Sequence, residues 1–196
     1  MKRKTKQAHP RVKPLDTDKL YRRIGEFVVG FQWIEDRFRQ IGWLILDPMR
    51  KEWPPISLRN LSNKELIDKV EAMFVNLVGN LDVEDRDERI QDFKTIVAGC
   101  HELREYRNSL LHSAYIELKG GGEVLGILRS NPKVKTDLAT GDKLFDEEDL
   151  TGEAIEKHLR KIAELGVPLG QHYLQLIHWS PFDSSGKRIT VPIRLF

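Results

Sequence analysis

Residues 90–114 read IQDFKTIVAGCHELREYRNSLLHSA, and their apolar positions Ile90, Phe93, Val97, Cys100, Leu103, Leu110 and Ala114 recur at helical spacing. Such steps trace one face of an α-helix. The helix is expected to start at Asp82, where Glu84 and Asp85 add negative charge at the positive end of its dipole, and to end near His112. One further step from Leu103 falls on Tyr106 or Arg107, so a guanidinium arrives on the apolar side. Arginine does not shed its proton, and burying it without partners is costly. It must meet a carboxylate, main-chain carbonyls, water or a bound anion.

Working outward, the same periodicity recurs in three more segments. Leu20, Ile24, Phe27, Val28, Phe31, Ile34, Phe38, Ile41 and Leu44-Ile45 predict a helix that starts near Asp16 or Thr17 and stops at Asp47-Pro48. Trp33 and Trp43 are expected in the core, while any of Trp33, Trp43, Trp53 and Trp179 left exposed could anchor a partner. Trp53-Pro54-Pro55 predicts a rigid connection. Ser62 and Glu65 then have the spacing of a capping box for a helix through Leu66, Val70, Met73, Phe74 and Leu77, ended by Gly79-Asn80. After Ala114 the period changes. Residues 115–119 and 124–129 flank Gly120-Gly121-Gly122 as the strands of a β-hairpin flank its turn, and residues 131–149 read as a polar loop. Thr151 caps a fourth helix through Ile155, Leu159, Ile162, Leu169, Tyr173, Leu176 and Ile177, which Gly166 and Pro168 are expected to kink. The fold class expected is therefore mainly all-α, about four long helices with an inserted β-hairpin near 115–130. A basic tail covers residues 1–15, one domain covers 16–179, and an extension covers 180–196.

Composition is that of one soluble domain. A chain of 196 residues with 40% hydrophobic content can bury a single core. Its formal charge of +2 is nearly balanced, so bulk charge does not mark a nucleic-acid binder. Lys2, Arg3, Lys4, Lys6, Arg11 and Lys13 nevertheless precede the first acidic residue, Asp16. Such a tail either solubilises the chain or holds phosphate backbone by salt-sensitive contacts. Cys100 is the sole cysteine and lies on the apolar stripe, which suits core packing in a reducing compartment. No apolar run approaches the ~18 residues of a membrane span, and no hydrophobic signal core follows the basic residues. The expectation is a cytoplasmic protein with no membrane partner.

Arg107-Asn108-Ser109-Leu110-Leu111-His112 combines a guanidinium, an amide and an imidazole near the end of a long helix. At about 100° per residue Arg107 and His112 project about 140° apart, whereas Asn108 and His112 differ by only about 40°. The arrangement resembles the HEPN superfamily and its R-x4-6-H signature, here with four intervening residues, and the order of elements over residues 16–179 is similar too. The resemblance implies an up-and-down helical bundle that forms a homodimer and brings two motifs into one cleft. It also implies metal-independent endoribonuclease activity without a cofactor, of the kind found in toxin–antitoxin and phage-defence systems. RNA would be the substrate, and an antitoxin or other inhibitor protein a further partner. Arg107, His112 and Asn108 would be the catalytic residues. Imidazole titrates near neutral pH and can carry the 2′-hydroxyl proton, the guanidinium fork fits phosphate oxygens, and Asn108 can orient either. Arg104 and His101 are added candidates for substrate contact, and Glu35 and Glu105 for supporting carboxylates.

Structural roles fit the same residues. His112, at the end of its helix, can bond free carbonyls and meet the negative end of the dipole. Arg107 can pair with Glu35 or Asp36 of the first helix. His101, Glu105, Asn108 and His112 form a polar stripe that reads either as a solvated face or as the far wall of a cleft. A zinc-protease pattern fails, because Glu105 stands where His101-Glu102 would need a second histidine. A non-catalytic RNA-binding or protein-interaction module on the same scaffold is the alternative to the enzyme.

Overall fold

A computed structural model describes residues 13–48, 56–136 and 143–179. Trp53-Pro54-Pro55, most of the basic tail and the extension from residue 180 lie outside the described residues. The elements are α1 (Thr17–Leu46), α2 (Ile56–Arg59), α3 (Asn63–Gly79), α4 (Arg86–Leu111), β1 (Ala114–Gly120), β2 (Glu123–Thr136), β3 (Lys143–Asp149) and α5 (Gly152–His178). The protein is mainly helical with an inserted antiparallel sheet, as the periodicity implied.

Local chemistry accounts for most boundaries. The Asp16 carboxylate accepts from the Lys19 amide at 3.0 Å and caps α1. Ser62 and Glu65 complete the capping box of α3 in both directions. Thr151 accepts from the Ala154 amide at the start of α5. α5 continues unbroken through Pro168. The hairpin turn is made by Gly121 and Gly122, whose φ values of +62° and +88° are the backbone region that glycine enters without a Cβ penalty.

Two boundaries differ from the sequence reading. α4 starts at Arg86 and not at Asp82, because the chain first makes a turn at the end of α3 and Asp85 sits at φ 57° as the N-cap. Asp87 and Glu88 supply the first-turn charge instead. Of the segment 131–149 expected as a polar loop, residues 131–136 and 143–149 are strand: β2 continues to Thr136 and β3 pairs antiparallel with it, giving the order β1-β2-β3. Main-chain pairing and the cross-strand contacts of Arg129 with Glu148 and Ser130 with Glu147 build that strand. Its charged sequence hides it from an apolar alternation test.

The helices pack around two joined apolar clusters. α4 runs against α3, shown by the contacts Asp68–His101 and Phe74–Phe93, and against α5, shown by Phe93–His172 and Tyr106–His158. α5 runs parallel to α1, from Arg23–Glu156 to Arg37–Tyr173. Close approach of α4 and α5 depends on Gly99, where a Cβ would come within 2.9 Å of the Leu165 side chain. Cys100 is fully buried, and burial pushes its thiol up to about 12. The inner face of the sheet carries Ile127 and Tyr115 into the second cluster, above the C-terminal end of α4. Trp33 corrects the core assignment: it is 75% exposed, because Gly30, Ile34 and Arg37 occupy the side of α1 turned toward α5.

Candidate functional site

The last turns of α4 hold the motif. Asn63 lies five residues before Asp68, and Tyr106 lies five after His101, so antiparallel packing through Asp68–His101 brings the start of α3 level with Tyr106. Beyond that level α3 does not flank α4. Arg107, Asn108, Leu111 and His112 occupy this overhang, with Arg104 one turn below Arg107.

Arg107 is half-buried and donates to the Asn108 side-chain oxygen at 3.1 Å. Among the described residues it forms no ion pair. Pairing with the first helix does not occur, since Glu35 is held by Arg39 at 2.6 Å and Asp36 by Gln40 at 2.6 Å. Arg39 also donates to the Leu58 carbonyl, which locks Glu35 into the α1–α2 junction and away from the motif. Arg104 is similarly sunk, with its side chain 16% exposed and its Nε buried without a partner. Its one carboxylate among the described residues, Glu105 at 3.2 Å, is exposed. Of the two half-sunk guanidiniums only Arg104 meets a carboxylate, and that one is on the surface, an arrangement open to an anion.

His112 is the C-cap of α4, and it is exposed. Its main-chain N–H bonds the Asn108 carbonyl at 3.1 Å, so the backbone makes the cap bond and the imidazole stays free of that duty. Next to it, Ser113 Oγ donates to the Ser109 carbonyl at 2.6 Å. His101 is drawn elsewhere. Its Nε2 meets Asp68 at 2.9 Å, and the Asp68 carboxyl is held below its ordinary value, mainly by Lys64 and further by His101. Eleven residues of helix separate His101 from His112, about 16 Å along the axis, so the two do not share a ligand.

A second polar group lies on the other flank of the same turns. Arg129 of β2 is 5% exposed and donates to Ser109 Oγ, inside the motif, while its other terminal nitrogen meets Glu148 of β3 at 2.7 Å. Tyr115 donates to the Leu110 carbonyl at 2.6 Å. The Tyr106 ring stacks on His158 with centroids 3.4 Å apart and packs edge-on against Phe27 at 5.1 Å. The Tyr106 hydroxyl is buried without a partner, and burial pushes it up to about 12. His158 Nδ1 lies 2.8 Å from the Ala154 carbonyl, which can only accept, so that nitrogen carries the proton. The sequence reading missed Ser109, Arg129, Glu148 and Tyr106. Arg129 was findable, because it shares the inward phase of β2 with Ile127.

No protein-family model, curated protein or solved structure matches this chain. No described helix is long and apolar enough to cross a membrane.

Proposed function

We propose that this chain is a HEPN-like endoribonuclease that cleaves RNA by 2′-hydroxyl transesterification without a metal, in a toxin–antitoxin or phage-defence setting. The observation that carries the proposal is the overhanging end of α4, where a half-buried Arg107 without a carboxylate partner among the described residues adjoins Asn108 and an exposed His112. His112 takes the 2′-hydroxyl proton as the 2′ oxygen attacks phosphorus. Arg107 holds the non-bridging oxygens while charge builds on them, with Arg104 on the adjoining phosphate and Asn108 orienting the guanidinium. The P–O5′ bond breaks, and the 5′ oxygen leaves with a proton from water. A 2′,3′-cyclic phosphate remains.

The test is incubation of the purified chain with a mixed RNA pool in EDTA, beside Arg107→Ala and His112→Ala proteins of matched thermal stability. Cyclic-phosphate ends from the wild type alone are expected. RNA binding without cleavage by any of the three would replace the enzyme with a binding module, and would return His112 to the end of a helix as its whole role.

A further inference from the structure

The outward side of α5 carries an apolar seam without a partner among the described residues. Ala163, Val167, Gly170, Leu174 and Ile177 follow one another at steps of four, three, four and three, the spacing of a two-helix coil. None of these side chains is buried: Val167 is 65% exposed and Leu174 55%. The core of the chain uses other positions of the same helix, among them Ile155, Leu169 and Leu176. Helix α5 therefore has two apolar stripes, and the fold buries one.

We infer that the seam pairs antiparallel with the α5 seam of a second copy of this chain about a two-fold axis near Gln171. Three features of the seam fit a copy of itself. In the antiparallel register that alternates the two seam positions, Val167 meets Ile177 of the second copy, and Gly170 meets Leu174. A Cβ at Gly170 would find nothing within 4 Å, so that position is an open hollow facing the Leu174 knob of the other copy. Along the flank of the seam, exposed Glu164 comes opposite exposed His178, and Gln171 opposite Gln171. A carboxylate thus faces an imidazole and an amide faces an amide, with no like charges in register among the described residues. Trp33 adds to the same surface. Gly30 packs on Ile162 and Ile34 on Gly166, so Trp33 lies level with residue 165, two residues from Val167, where Ile177 of the second copy falls.

The pairing has a consequence for the motif. Tyr106 stacks on His158, so His112 lies level with residue 152 of α5, 19 residues from Gln171. At the rise of an α-helix, the two motifs of such a dimer stand about 55 Å apart along the axis. Each motif then works alone, and the proton for the 5′ oxygen comes from water.

Sedimentation of the full chain at micromolar concentration tests the interface without reference to RNA. The wild type is expected to be a dimer, and Leu174→Glu a monomer with at least 100-fold weaker association; since the position is exposed in the single chain, their melting temperatures should agree when both are diluted to monomer. Gln171→Cys should form a disulfide-linked dimer with a mild oxidant, while Lys94→Cys, on the far side of the bundle, should not. A wild type that is monomeric at 100 μM, a dimer that survives Leu174→Glu, or a dimer that Gln171→Cys fails to link would overturn the assignment. Cleavage by monomeric Leu174→Glu would separate the interface from the nuclease reading, because the first can fail while the second stands.

Discussion

The two ends of α4 are built on opposite principles. Around Phe93 the packing is aromatic and closed: Phe74 stacks on Phe93 with centroids 3.9 Å apart, and His172 meets both rings edge-on. Around Arg107 the packing is polar. Within two turns Arg107, Asn108 and His112 are left over a short α3, while Arg129 ties Ser109 to Glu148 on the other flank. Closed aromatic packing gains from every contact excluded from water, whereas polar groups at a helix end cost free energy unless each has a partner. Arg129 has partners, and among the described residues Arg107 has only an amide. The contrast separates a guanidinium committed to internal partners from the one that the proposed reaction would use.

That contrast can be broken by substitution. The largest loss should come from Phe93→Ala, at about 3–5 kcal/mol in a denaturant titration, because it empties the stack and leaves a cavity. Arg129→Ala should cost about 1–3 kcal/mol; it strips Ser109 and Tyr106 of a buried neighbour, while the half-exposed Glu148 returns to water. A loss above about 4 kcal/mol would mean that Arg129 also holds the sheet on the bundle.

A smaller effect should follow from pH. Burial lowers the affinity of His172 for a proton below the ordinary histidine value of 6.5, with Arg89 acting in the same direction and Asp92 and Gln175 against it. The unfolded chain then binds the proton that the folded chain refuses, so stability is full above pH 6.5 and declines as pH falls below it. Melting temperatures measured downward from pH 7 should show this decline, and His172→Phe should flatten it. The smallest change in stability, within about 0.5 kcal/mol, is expected of Arg107→Ala, since the side chain anchors only Asn108. Loss of RNA cleavage from a protein so little destabilised would complete the contrast. A cost above about 1.5 kcal/mol would instead make Arg107 a packing residue.

Much of the scaffold was legible in the residues themselves. Asp16, the Ser62–Glu65 box, Thr151 and the glycine turn act on neighbours in sequence, and each stands in its expected place. The third strand was hidden, because Glu147, Glu148 and Asp149 carry no apolar alternation and owe their conformation to pairing with β2. Trp33 misled in the other direction, being apolar yet exposed. Of the site, the sequence located the end of α4 and the three groups on it. It could not assign their partners.

Chain-local rules determined where helices begin, end and turn, because capping bonds, glycine backbones and helical periodicity span only a few residues. Tertiary packing decided which polar residues were consumed: His101 by Asp68, Glu35 by Arg39, Glu102 by Lys161 and Ser109 by Arg129. Except for the pairing within α1, these partners lie on different elements. Their meeting depends on the length of α3, the register of β2 and the level at which α5 passes α4, and no short window of sequence contains those quantities. Arg107 and His112 are what that packing left over.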